Sequence, residues 1–128
     1  MDYIIASGPV IIKNGEVLLI KDRKDPFYKF PGGTVKEGHG LKETCLRETK
    51  EEIGVKIKII KPLETMLLWK KPHTGEKIPV VLVHWLAKIV PKQKVTKGKD
   101  ILEVVWLNIK DINKYDVAPN VKYVLESL

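Results

Sequence analysis

Residues 47–54 read Arg47-Glu48-Thr49-Lys50-Glu51-Glu52-Ile53-Gly54, and the fold turns on how this stretch is read. Leu46, Thr49 and Ile53 fall on one side at three- and four-residue steps, which predicts a helix over residues 41–53. Gly54 stands where a left-handed C-cap would stop it. Gly40 and Glu43 have the spacing of a capping box, but Gly40 lacks a side-chain oxygen, so only the Glu43 half can form. On this helix Glu48, Glu51 and Glu52 share a wedge of roughly 100°. Like charges at i,i+3 and i,i+4 oppose an isolated helix by a few tenths of a kcal/mol per pair. Two of them also lie near the C-terminal end, where the macrodipole disfavours anions. Arg47 offsets part of this by pairing with Glu51. Such a cluster calls for a counter-charge from outside the sequence, and a hard divalent cation with oxygen ligands fits. A solvated acidic helix face is the competing reading.

Outward from the helix the chain reads mostly as strands. Residues 3–13 are β-branched and apolar, Asn14-Gly15 is a hairpin signal, and residues 16–21 form the partner strand. Residues 22–28 are a polar loop, and Phe30-Pro31-Gly32-Gly33 is a turn whose glycines let backbone approach a ligand closely. After the helix, residues 55–60 and 63–69 are strand-like, and His73-Thr74-Gly75 reads as a turn. Residues 78–90 form a long buried strand, 92–100 a basic loop, 101–107 a last strand, and 111–128 one or two short helices. The order predicts an α/β (α+β) sandwich around a mixed, largely antiparallel sheet.

The 128 residues predict one domain over 1–128, large enough for a hydrophobic core without staples. A single cysteine, Cys45, excludes an intrachain disulfide framework and reads as packing. No apolar run approaches the ~18 residues of a membrane span, and the N-terminus lacks a basic leader, so a cytoplasmic protein is expected. Lys plus Arg number 23 against 16 acids, a net charge of +7, which favours anionic partners such as nucleotides or RNA.

Taken together, Gly33 through Val55 resembles the signature of the Nudix hydrolase family. That signature runs Gly, five residues, Glu, seven residues, then Arg-Glu-apolar-x-Glu-Glu-x-Gly-apolar. Arg47, Glu48, Glu51, Glu52 and Gly54 match at the right spacing, with Thr49 in the first apolar slot and Val55 in the last. One position departs: where the family has its first Glu, this chain has His39. The change removes a carboxylate and bears on the number of metals bound. His39 reads as a neutral supporting group, a phosphate contact or a tolerated loop residue.

The resemblance implies an α/β/α sandwich and a metal-dependent pyrophosphohydrolase acting on a nucleoside diphosphate linked to another group. It implies Mg2+, with Mn2+ as an alternative. By carry-over Glu48, Glu51 and Glu52 are metal ligands, with the Gly32 carbonyl as a further one. Glu48 is the candidate to activate water, and Arg47 orients the glutamates. Asp100 and Glu103 are the downstream acids. For substrate, Arg23 is a candidate phosphate contact or a plain surface arginine. Phe27, Tyr28 and Phe30 are candidate stacking groups. Of Trp69, Trp85 and Trp106, which otherwise read as core, Trp69 with the following Lys70-Lys71-Pro72 is the candidate pocket rim. Pro72 also falls near the place where ADP-ribose hydrolases of the family tend to carry a proline. His84 reads as a satisfied residue of an apolar strand.

Three function classes follow. The first hydrolyses a small nucleotide: ADP-ribose, a nucleoside triphosphate or a dinucleoside polyphosphate. The second uses the basic balance and residues 92–99 to hold RNA for removal of a 5′ pyrophosphate, with steep salt dependence. The third is a non-catalytic nucleotide-binding module of the same fold, which the intact Arg47, Glu48, Glu51 and Glu52 argue against.

Overall fold

The computed structural model describes residues 2–70 and 75–128. The strands are β1 (Ile4–Lys13), β2 (Glu16–Asp22), β3 (Gly33–Thr34), β4 (Ile57–Pro62), β5 (Met66–Lys70), β6 (Ile78–Ile89) and β7 (Ile101–Asn108). Helix α1 spans Leu41–Ile53 and α2 spans Pro119–Glu126, with a 3-10 turn at Ile109–Lys114 between β7 and α2. The strands form one mixed sheet in the order β4-β6-β1-β2-β7, with β5 beside the first half of β6 and β3 beside β1. Among the described residues the β1–β6 pairing is parallel and the other strand pairings are antiparallel. Among the described residues no helix is long and apolar enough to cross a membrane.

The apolar run Val17-Leu18-Leu19-Ile20 shows how the layers arise. Successive side chains of a strand point to opposite faces, so a continuous apolar strand needs both faces covered. Val17 and Leu19 face a core closed by Val121, Val124 and Leu125 of α2. Leu18 and Ile20 face a second core closed by Cys45 and Ile53 of α1. The result is an α/β/α sandwich.

Helix α1 has the expected bounds and its expected stop: Gly54 is left-handed and donates its N–H to the Lys50 carbonyl. At its start the Glu43 carboxylate accepts the Gly40 N–H at 3.0 Å, the half of the capping box available to glycine. The buried face differs from the expectation. Cys45, Thr49 and Ile53 are fully buried, whereas Leu46 is 42% exposed. Cys45, Thr49 and Ile53 are four apart and centre the stripe on themselves; one residue further turns Leu46 about 100° away. The buried Thr49 hydroxyl is satisfied by donating to the Cys45 carbonyl at 2.7 Å.

The hairpin opens the space for the site. Asn14 and Gly15 both take positive φ, as a type I′ turn requires. Beyond it β1 and β2 pair only at Ile12–Val17 and Lys13–Glu16, then separate. Residues 29–34 enter the gap. Lys29 bridges to Ile20 of β2, while Gly33 and Thr34 pair with Ser7 and Ala6 of β1. Gly8 and Gly32 make the approach possible. A methyl on Gly8 would collide with the Pro31 carbonyl oxygen, and one on Gly32, at φ +145°, would lie 2.7 Å from the Ser7 oxygen.

Candidate active site

Residues 30–34, held in this gap, run beside the outer face of α1. The Glu52 carboxylate accepts the Gly32 N–H at 2.7 Å. Glu48 lies against Gly33, where any side chain would collide with its carboxyl group. The loop after β6 closes the other end of the helix. Thr96 and Gly98 donate their N–H groups to the Ile53 and Glu52 carbonyls at 2.9 and 2.8 Å. Two C-terminal carbonyls of α1 are satisfied in this way, and Lys97 and Lys99 are brought to the negative end of the helix.

These elements enclose a cleft of about 860 Å³. It brings together Gly32, Glu48, Glu51 and Glu52 with Arg23, Phe27 and Asp100. Arg47 stands behind this floor, with Nη2 3.5 Å from Glu48 Oε1 and Nε 3.8 Å from Glu51 Oε1. Trp69 corrects the expectation. It is 56% exposed and does not line the cleft, while Leu68 and Lys70 on either side of it do. The two-residue alternation of β5 sends Trp69 to the opposite face. Lys71, Pro72 and His73 lie outside the described residues. Trp85 and Trp106 pack against the core under α1, as expected.

Several cleft residues escape the sequence reading. Lys24, Lys29 and Lys36 are among them, and with Arg23, Lys99 and Lys70, the last already expected at the rim, they give the cleft a cationic border beside its acidic residues. Lys29 is held by Asp22 and by Asp25, the latter at 3.0 Å, and these contacts keep its ammonium charged despite burial. Asp22 also accepts the Lys24 and Asp25 N–H groups at 3.0 and 3.1 Å, which stiffens the turn carrying Arg23. At the deep end His84 is buried and stacks edge-on against Phe30 at 5.6 Å. Its Nδ1 donates to the Glu64 carbonyl at 2.7 Å, leaving Nε2 to accept from Asn120 at 2.9 Å. Burial holds this imidazole below its usual pKa, hence neutral. The expectation of a satisfied histidine holds, but its partner Asn120 lines the cleft and was not foreseen. A single Asn or Lys carries no local signal that it faces a cleft.

Glu52 is the electrostatic outlier. Burial pushes its carboxyl up to about 8, against the Gly32 hydrogen bond, and the neighbouring Glu48 adds to the rise. Among the described residues no cation stands within ion-pair distance of it. A half-buried carboxylate beside a second one, with no ion-pair partner among the described residues, fits a divalent cation. No three His, Cys, Asp or Glu side chains among the described residues converge into a ready cage. The site therefore suits an ion that keeps positions for main-chain carbonyl, water and phosphate oxygens, as Mg2+ does.

Glu52 binds its proton more tightly folded than unfolded, so its contribution to the stability of the metal-free protein is fully present below the unfolded value near 4.5. This contribution should be lost as pH rises from about 4.5 through about 8. Melting temperatures of metal-free protein across that range, with Glu52→Gln as the non-titrating control, provide the check. A wild-type curve parallel to that of the variant would contradict the assignment.

Comparison with known proteins agrees with this architecture. The family model described as NUDIX domain matches residues 4–128. An ADP-ribose pyrophosphatase of Methanocaldococcus jannaschii is 25% identical over 114 residues, covering 86% of this chain and 64% of that protein. An RNA pyrophosphohydrolase of Baumannia cicadellinicola is 34% identical over 84 residues, covering 63% of this chain and 50% of that one. The chain thus spans between half and two thirds of the length of these curated relatives. The crystal structure of a MutT NUDIX hydrolase from Burkholderia pseudomallei superposes with a TM-score of 0.82 at 20% identity, covering 100% of this chain and 99% of that one. With the glutamate helix, the glycine turn and the sandwich on which they sit all accounted for, the chain belongs to the NUDIX domain family.

Proposed function

We propose that residues 1–128 form one domain that acts as a pyrophosphohydrolase, cleaving a phosphoanhydride bond in a nucleoside diphosphate linked to another group. Members of the family generally use divalent metal ions; Mg2+ is the ion proposed here, with Mn2+ as an alternative. One observation carries the reading: a single cleft is lined both by the carboxylate residues Glu48, Glu51 and Glu52 and by six cationic residues. Phosphoryl transfer needs positioning and charge neutralisation rather than covalent chemistry, and this pairing of signs supplies both. A divalent cation held by Glu48, Glu51, Glu52 and the Gly32 carbonyl would supply charge neutralisation at the diphosphate and acidify the attacking water. Glu48 would serve as the base toward the attacking water, and Arg47 behind it would keep its carboxylate oriented. Arg23 and the rim lysines hold phosphate oxygens, while Phe27 offers a ring for a base or sugar to stack on. Asp100 borders the same cleft as the downstream acid.

The experiment is a substrate panel with Mg2+ and Mn2+, read by chromatography. ADP-ribose is expected to yield AMP and ribose phosphate, and a triphosphate to yield a monophosphate and pyrophosphate. Binding without turnover of any nucleotide would overturn the enzymatic reading and favour a binding module. A second reading, removal of pyrophosphate from an RNA 5′ end, is favoured by the basic loop over residues 92–99, tied to α1 beside the cleft. Turnover confined to 5′-triphosphate RNA, falling steeply with salt, would select it.

A further inference from the structure

His39 stands where the family signature has a carboxylate, and its surroundings define what replaces that carboxylate. The turn Lys36-Glu37-Gly38-His39 is closed by the His39 N–H donating to the Lys36 carbonyl at 3.0 Å. Gly38 takes φ +80°, the conformation a type II turn requires at its third position. The turn delivers His39 to the mouth of α1, one residue before the Gly40 cap. Helical side chains lean toward the N-terminus, so Arg47, two turns in, reaches back to meet it. Its Nη1 lies 2.7 Å from His39 Nδ1. A guanidinium only donates, so in this contact Nδ1 presents its lone pair and the ring proton sits on Nε2. The rest of the guanidinium faces Glu48 at 3.5 Å and Glu51 at 3.8 Å. Glu43 is the other charged group against His39, 3.7 Å from Nδ1, and the same oxygen accepts the Gly40 N–H.

A carboxylate beside Arg47 would compete with Glu48 and Glu51 for its charge. A neutral nitrogen holds the guanidinium by one hydrogen bond and leaves its charge to the two glutamates. We infer that His39 is a positioning residue: its Nδ1 lone pair anchors Arg47, and Arg47 so anchored holds Glu48 and Glu51 at the floor of the cleft. The inference rests on the functional reading above, since its consequence is exerted on the proposed metal ligands.

His39→Leu removes the acceptor while keeping bulk. His39→Asn restores one, because the amide Oδ1 lies as many bonds from Cα as the imidazole Nδ1. Mn2+ is titrated into metal-free protein and followed by water-proton relaxation. His39→Leu is expected to bind Mn2+ about 10-fold more weakly than wild type at an unchanged melting temperature, with His39→Asn within about twofold. Turnover of the best panel substrate should rank the three proteins in the same order. The side-chain 15N–1H spectrum of metal-free protein gives an independent readout, since the chain has only two arginines, Arg23 and Arg47. Arg47 Nη protons, identified by their loss in Arg47→Lys, should be resolved in wild type and His39→Asn and averaged in His39→Leu. His39→Leu that matches wild type in metal binding and spectrum, or His39→Asn as impaired as His39→Leu, would overturn the inference. Wild type that neither binds Mn2+ nor hydrolyses would instead sink the functional reading, and the guanidinium spectra alone would decide the His39–Arg47 link.

Discussion

Replacing Glu52 by glutamine is expected to lower turnover by about 1000-fold or more, which is about 4 kcal/mol of transition-state stabilisation. The amide keeps the size of the carboxylate and can still accept the Gly32 N–H. It cannot neutralise a cation. Stability should respond in the opposite direction. In the metal-free protein above pH 8, wild type carries a half-buried anion next to Glu48, whereas the variant carries a neutral group. Glu52→Gln should therefore melt higher than wild type there. Loss of activity with gain of stability would mark a residue kept for chemistry rather than for folding. Unchanged turnover would remove Glu52 from the metal site, and a lower melting temperature would contradict its raised pKa.

Gly8→Ala should have the next largest effect, although Gly8 carries no reactive group. Its new methyl would collide with the Pro31 carbonyl oxygen and lie 2.9 Å from the Gly32 Cα. Both neighbours are backbone, so no side-chain rotation can relieve the clash. Overpacking of this kind costs about 1–3 kcal/mol of stability. The site should suffer more, because the displaced segment carries the Gly32 N–H that Glu52 accepts and the Gly33 surface that Glu48 packs on. A shift of about 1 Å at a reacting centre commonly costs about 100-fold in rate. Turnover is therefore expected to fall about 100-fold while urea denaturation still gives one cooperative transition. An active, wild-type-like Gly8→Ala would mean that the glycine turn does not position the site.

Much of this was legible from residue types at short spacing. The bounds of α1, its Gly54 stop, the half-formed capping box and the Asn14-Gly15 hairpin all depend on contacts within four residues. The glutamate wedge is equally local, since helical pitch alone puts Glu48, Glu51 and Glu52 on one side. Leu46 was misjudged because a stripe containing two threonines and a cysteine has no strong hydrophobic centre, so its neighbours on the sheet choose the buried face. Trp69 was misjudged because β5 has apolar residues at both Leu67 and Leu68, and nothing in such a strand says which alternation faces the cleft.

Residue order alone was enough for the helix, the turn chemistry and the acidic cluster, because each is a matter of backbone geometry and neighbours in the chain. Tertiary structure decided the parallel pairing of β1 with β6, which joins residues more than 70 positions apart. It also decided the cationic rim, drawn from separate loops and strands between Arg23 and Lys99, and the buried His84–Asn120 pair. Those groups meet only after two cores have closed on opposite faces of the sheet. Their meeting is a consequence of packing, and packing is a property of the whole chain that no window of sequence contains.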